Sequence, residues 1–291
     1  MHEPVNIPEF KSAPLVPGTL YLVATPIGNM EDITLRAIRT LRDCDLVAAE
    51  DTRHTGMLLK RLDLAKRQIS THKFNEARRS GEIVELLQGG GTVALVSDAG
   101  SPGISDPGQR VVASVIEAGC RVETVPGACA LVAALTASGL PSDEFHFCGF
   151  LPVKSGQRTK RLAKLLELPG TLAIYESPHR VVKLLGELVE QAPDRPVVLG
   201  RELTKKFEQI QRGLPAQLLA EYSERKPKGE FVVLIGQVEG RHPAFTAVRV
   251  CGGYETRSAL PRTRGRGSRW PVDSRCHLRP PRRSPTGALR H

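Results

Sequence analysis

The stretch TVALVSDAGSPGISDPG, residues 92–108, decides how this chain folds. Its first part, 92–97, is a short continuous apolar run, the pattern of a strand buried on both faces of a parallel sheet. Its second part, 98–108, holds three glycines and two prolines and runs into a predicted helix over 107–118. Strand-to-helix turns usually need about two to six residues, so this one is too long for a plain connection. Glycine lets the backbone approach a ligand and adopt positive φ, while proline stiffens the turn. Pro107 suits the first turn of the helix and Asp106 its N-cap. The pattern is that of a rigid ligand loop. Asp98 and Asp106 accept hydrogen bonds from hydroxyls or an amine, so an uncharged or cationic ligand suits the loop better than a polyphosphate.

Outward from this loop, short apolar runs alternate with amphipathic stretches, which predicts an α/β fold with parallel strands and crossover helices. Strands are expected at 20–24, 45–49, 69–71, 92–97 and 121–125, with helices at 34–42, 54–61, 75–88, 107–118 and 130–138. Gly89-Gly90-Gly91 follows a helix and precedes a strand, so it reads as a helix C-cap rather than a phosphate loop. Gly139-Leu140-Pro141 breaks the pattern. A second α/β unit follows, with strands at 145–150, 171–175, 196–200 and 231–235 and helices at 157–166, 178–191 and 216–222. The expected organisation is an N-terminal extension (1–17), two α/β domains (18–139 and 140–238) and an arginine-rich tail (239–291).

At 291 residues the chain exceeds the usual size of one core. Its net charge of +10 invites a nucleic-acid reading. Of 41 basic and 31 acidic residues, however, twelve arginines and three acids lie after position 238. The body holds 29 against 28 and is close to neutral. The tail, punctuated by six prolines and six glycines, is expected to be disordered. A non-native end and a genuine RNA-binding arm both remain open for it. Residues 1–18 lack an apolar run behind a basic start, and no run of about 18 apolar residues occurs, so neither a secretory leader nor a membrane span is expected. A cytoplasmic location follows by default. The cysteines (Cys44, Cys120, Cys129, Cys148, Cys251 and Cys276) form no C-x-x-C pair and read as small hydrophobes, and no metal-ligand set is visible.

Open α/β sheets bind ligands beyond the carboxyl ends of their strands. Four such ends carry unusual loops: 25–29, 49–54, 98–108 and 125–128. The second packs Glu50, Asp51, Arg53 and His54 together, where a base could take a proton from a hydroxyl and Arg53 could hold a phosphate. The plainer alternative has Asp51 or Thr52 capping the next helix while Arg53 pairs with Glu50. In the nearby cluster His72, Lys73, Asn75 and Glu76, the plainer reading makes Asn75 a helix cap and leaves Glu76 solvated.

Taken together, these loops resemble the tetrapyrrole methylase superfamily, and most closely its ribosomal RNA small-subunit methyltransferase I branch. The matching motifs, in order, are GTLYLVATPIGNMEDITLRAIRTLRDCDLVAAEDTRHT, HKFNE, ALVSDAGSPGISDPG, the stretch 126–139, YESPHR and KGEFVVLIG, and the resemblance spans residues 18–236. It implies two α/β domains with S-adenosylmethionine in the cleft between them, a homodimer, and 2′-O-methylation of a cytidine in the decoding centre of 16S rRNA, within the small ribosomal subunit. It further implies that Pro26, Asp98, Ala99, Gly100, Gly103, Ile104, Ser105, Asp106, Pro126, Ala128, Ser177 and Gly229 hold the cofactor. The branch shares Glu50, Asp51, Arg53 and His54, which are expected on the substrate side. It usually continues into a helical C-terminal segment, which residues 237–291 do not resemble.

Methyl transfer from a sulfonium is an in-line displacement, so positioning carries much of the catalysis. A ribose hydroxyl is a poor nucleophile, which calls for a general base, Asp51 or Glu50 first and His54 second. RNA recognition by a neutral body needs a local basic patch. Lys154, Arg158, Lys160, Arg161 and Lys164 on one predicted helix are candidates, with a solvated face as the alternative. The rival readings are a small-molecule methylase of the same superfamily and a non-catalytic RNA-binding factor.

Overall fold

The computed structural model describes residues 13–72, 75–224 and 227–238. The expectations for the tail, for Lys73 and for Cys251 and Cys276 lie outside these residues. The first half comprises β1 (Thr19–Val23), α1 (Leu35–Asp43), β2 (Leu46–Ala49), α2 (Thr52–Arg61), β3 (Gln68–Ser70), α3 (Glu76–Gln88), β4 (Val93–Val96), α4 (Gln109–Glu117) and β5 (Arg121–Val125). Its five strands form an all-parallel sheet in the order β3-β2-β4-β1-β5. Both β2 and β4 are buried along their whole length. Alternate residues serve the two faces: Tyr21, Val47, Ala94 and Val96 pack with Leu41 and Leu59, while Leu20, Ala48, Val93 and Leu95 pack with Ile83 and Val111. Helices thus cover both faces, which is why these strands read as unbroken apolar runs.

After α5 (Ala130–Ser138) come β6 (Phe145–Phe150), α6 (Ser155–Leu166), β7 (Thr171–Glu176), α7 (Pro178–Gln191), β8 (Val197–Arg201), β9 (Gln209–Gly213), α8 (Pro215–Glu224) and β10 (Phe231–Ile235). The second sheet runs β6-β7-β10-β8-β9. Only its β6–β7 pair is parallel, so the expectation of parallel strands throughout is corrected to a mixed sheet. Sequence reading also missed β9, an edge strand whose residues QIQRG are mostly polar and only part-buried. Although α5 precedes Gly139, its Leu131, Ala134 and Leu135 pack on Ala173, Val198, Val232 and Leu234 of this second sheet. Among the described residues, no helix is long and apolar enough to cross a membrane.

The glycine triplet closes α3 as expected. Gly90 takes φ +85, and the N–H groups of Gly90 and Gly91 donate to the carbonyls of Leu87 and Leu86, the double bond of a Schellman cap. The start of α4 differs from expectation. The helix begins at Gln109 behind Gly108, whose φ is +131, and Asp106 does not cap it. Nor is Glu76 solvated: it is 6% exposed, and its Oε1 accepts from the N–H groups of Gly108 and Arg110 at 2.9 and 3.0 Å. A carboxylate from α3 therefore satisfies the free N–H groups and the dipole of α4. Asn75 sits at the N-cap of α3 without a capping bond; its side chain instead accepts from His72 N–H.

Glu76→Ala strands one buried donor, Gly108 N–H, and one part-buried donor, Arg110 N–H, the first worth about 1–3 kcal/mol when unsatisfied. We expect denaturant unfolding to show a loss of that order, with Glu76→Gln costing less because its carbonyl oxygen still accepts. Equal stability of all three proteins would remove the capping role.

Candidate functional site

The loop 97–108 is fixed at its start as firmly as at its end. Thr25 and Gly100 exchange two backbone hydrogen bonds, of 2.9 and 3.0 Å, and the Thr25 hydroxyl donates to the Ser97 carbonyl. Gly100 and Gly103 both have φ +82, which their lack of a side chain permits. Ser105 is also left-handed, at φ +66, a costly position for a residue with a Cβ. The loop walls a cavity of about 450 Å³ between the two sheets, within the usual range of about 300–1,000 Å³ for small-molecule sites.

Of the expected cofactor residues, Asp98, Ala99, Gly100, Ile104, Ser105, Asp106 and Ser177 line this cavity. Pro26, Gly103, Pro126, Ala128 and Gly229 do not, and all of these but Pro126 lie beside a residue that does. Ile27 lines it next to Pro26, and Cys129 next to Ala128, whose carbonyl accepts from the Ser101 hydroxyl. A Cβ on Gly229, at φ +88, would fall 2.4 Å from the Glu202 side chain. Glu202 in turn accepts from Glu230 N–H and pairs with Lys205, and both Glu230 and Lys205 line the cavity.

The Glu50–His54 cluster splits. Glu50 lines the cavity, and its Oε2 accepts from Asp98 N–H at 3.5 Å. Asp51 caps α2 through Arg53 N–H, and its Oδ2 lies 2.6 Å from Arg53 Nη2. Arg53 therefore pairs with Asp51 rather than Glu50, because the i,i+2 partner at the helix start is within reach of the same fork of donors. That pairing holds the Asp51 carboxyl far below the usual carboxylate range. His54 Nδ1 stands 3.7 Å from Asp98 Oδ2.

Three carboxylates from the first sheet, Glu50, Asp98 and Asp106, thus share one cavity, which Glu176 and Glu230 line from the second sheet. Burial first, and then the charges of Glu50 and Asp98, push Asp106 up from 3.8 to about 6. Burial also raises Glu50, with Asp98 and Asp51 adding repulsion against the bond from Asp98 N–H. Apolar side chains, among them Ile27, Ile104, Leu203 and Phe231, complete the lining. The arrangement suits a ligand that combines positive charge, hydroxyls and an apolar ring. Among the described residues, no group of three His, Cys, Asp or Glu side chains could hold a metal ion.

Sequence reasoning missed Phe150, Tyr175, Lys205 and Glu230 as lining residues. Gly149 inside a predicted strand was a signal for the first, since glycine there marks a bulge. Tyr175 lies in the quoted motif YESPHR. Nothing in the sequence pointed to Lys205, which a positive-φ turn at Glu202 and Thr204 brings round. The basic patch on α6 loses one member: Arg158 is buried and bonds Glu187 twice, at 2.7 and 3.0 Å. Lys154, Lys160, Arg161 and Lys164 remain exposed.

The comparisons with known proteins agree with this architecture. A model of the tetrapyrrole (corrin/porphyrin) methylase family matches residues 19–219. The chain is 49% identical over 235 residues to a ribosomal RNA small subunit methyltransferase I of Mesorhizobium japonicum, covering 80% of each. It is 45% identical over 254 residues to that of Synechocystis, covering 87% of this chain and 91% of the relative. Among solved structures, uroporphyrin-III-C-methyltransferase from Thermus thermophilus superposes with a TM-score of 0.54 at 24% identity, over 75% of this chain and 94% of that one. A cobalt precorrin-4 methyltransferase gives 0.56 at 20% identity, over 75% and 95%.

A carboxyl-carbon NMR titration should place the Asp106 midpoint near 6. Glu50→Gln removes a like charge and should lower that midpoint, while burial keeps it above 3.8. Because the folded value is raised, the stability linked to this group is full below the ordinary aspartate value and is lost as pH rises through about 6. An Asp106 midpoint at the ordinary value would contradict the arrangement.

Proposed function

The chain belongs to the tetrapyrrole (corrin/porphyrin) methylase family, and from that premise we propose that it is an S-adenosylmethionine-dependent methyltransferase of small-subunit ribosomal RNA, acting on the ribose 2′-hydroxyl of a cytidine in the 16S decoding centre. The relatives at 45–49% identity are named ribosomal RNA small subunit methyltransferase I, which supports the substrate class. The observation that carries the reading is the cavity itself, in which Glu50, Asp98 and Asp106 beyond β2 and β4 face apolar side chains. The proposal includes an assembled small subunit as substrate, a homodimer, and a cytoplasmic location. It also takes residues 18–139 and 140–238 as two domains, tied together by α5.

When bound, S-adenosylmethionine supplies an electrophilic methyl group on a cationic sulfur. Asp98 and Asp106 hold its positive charge and hydroxyls, and Ser105, Ile104 and Ala99 shape the wall around it, with Ser177 opposite. Pro26, Gly103, Pro126, Ala128 and Gly229 set the backbone behind that lining. On the substrate side, Glu50 is the general base: its carboxylate takes the proton of the ribose 2′-hydroxyl. It lines the cavity, burial raises it, and Asp98 N–H orients it. Asp51, neutralised by Arg53, is a poor base and serves instead to start α2 and to direct its own N–H at Asp98. Arg53 and His54 stand at the surface beside it and are proposed as RNA contacts.

Two measurements test this. Calorimetric binding of S-adenosylmethionine to the full chain should weaken as pH falls through about 6, because protonated Asp106 no longer attracts a cation. S-adenosylhomocysteine, without the sulfonium charge, should respond less, and no binding at any pH would sink the methyltransferase reading. Small subunits from a strain lacking this gene should gain a ribose methyl group when treated with the protein. Glu50→Gln should lower kcat by about 10²–10⁴, the usual worth of a general base, while Asp51→Asn should retain most turnover. Unmethylated subunits would point instead to a small-molecule substrate.

A further inference from the structure

The ring of Phe150 has no evident task in holding a cofactor. β6 stays in register with β7 as far as Phe147, opposite Ala173, and resumes at Phe150, opposite Tyr175. Three steps along one strand thus match two along the other, and the extra residue forms a bulge in which Gly149 takes φ +60. In an unbroken strand, side chains three residues apart leave from opposite faces. The bulge reverses that alternation, so Phe147 and Phe150 both meet Tyr175 edge to face, with ring centroids 4.9 and 5.9 Å away. Bulges beside active sites commonly re-aim a side chain in this way. Phe147 packs with the core, whereas Phe150 is 57% exposed and lines the cavity.

The ring stands on a fixed base. The Tyr175 hydroxyl accepts from Leu131 N–H at 3.2 Å. Arg180 Nη2 donates to the carbonyls of Leu151 and Pro152, at 2.7 and 3.3 Å, holding the chain just after Phe150. On the other side, a Cβ at Gly149 would lie 3.0 Å from Ser105 Oγ, so the bulge rests against the loop 97–108.

A pre-positioned aromatic ring, more than half exposed beside a cavity, is the usual platform for an unpaired nucleobase. We propose that Phe150 stacks the base of the target nucleotide, as a positioning residue that brings the ribose into the cavity lined by Glu50. This rests on the reading of RNA as substrate. It assigns the second sheet a part in substrate recognition that does not depend on the arginine-rich tail.

Steady-state kinetics with the full chain, S-adenosylmethionine and undermethylated small subunits provide the test, with cofactor affinity measured separately by calorimetry. Phe150→Ala should raise the KM for subunits by roughly 5- to 150-fold, the loss of one base stack, and leave cofactor affinity unchanged. Phe150→Tyr and Phe150→Trp should restore the KM. The introduced tryptophan should also be quenched by a short single-stranded RNA oligonucleotide, read against the native chain with its single Trp270. An unchanged KM in Phe150→Ala overturns the proposal, as does a loss of cofactor affinity in place of the KM effect. Failure of the unaltered protein to methylate subunits overturns the substrate reading itself, and is seen before any variant is made.

Discussion

The double anchoring of residues 97–108 is the constraint on which the site depends. At one end the Thr25–Gly100 pair of backbone hydrogen bonds fastens the loop to the strand end of β1. At the other, the buried Glu76 carboxylate binds the free N–H groups of α4. With that helix already capped from α3, Asp106 is not needed as a cap and lines the cavity instead. A single capping carboxylate thereby decides whether the loop presents one acidic side chain to the cavity or two.

Charge is distributed with the same economy. Of the acidic groups at the ends of β2 and β4, Asp51 is neutralised by Arg53, whereas Glu50, Asp98 and Asp106 line the cavity. Clustering like charges in a half-buried place is unfavourable for an empty site and favours a cationic ligand. Across the cavity, Lys205 is held by Glu202 and Glu230 at 2.9 Å each, which spends its charge within the second sheet's own loops. The acidic character of the first sheet's edge is therefore left uncancelled.

Backbone strain concentrates in the same region. Ser105, Glu202 and Thr204 are non-glycine residues with positive φ, and all three are in loops bordering the cavity. Such positions cost about 1–3 kcal/mol each and persist only where surrounding structure enforces them. Here the enforcement comes from Gly149 against Ser105, from Gly229 against Glu202, and from Gly28, where a Cβ would fall 2.3 Å from Lys205. Gly149 and Gly28 let loops of the two sheets approach closely enough to wall one cavity, and Gly229 does the same for two loops within the second sheet.

What the sequence by itself determined was local. Hydrophobic runs located β5, β6 and β10 and helices α5 and α7 to the residue, because strand and helix periods depend on neighbours a few positions away. The length of the glycine-proline loop marked one wall of the cavity, and the glycine triplet marked the end of α3, since positive φ is a property of the residue itself. The tertiary structure alone decided the partners. Glu76 reaches Gly108 across 32 positions, Arg158 finds Glu187 across 29, and Tyr175 meets Leu131 across 44. It also turned the second sheet mixed, hid a polar edge strand in β9, and aimed Phe150 into the cavity. Pairing direction, burial and charge repulsion arise from groups distant in sequence, and no local pattern encodes them.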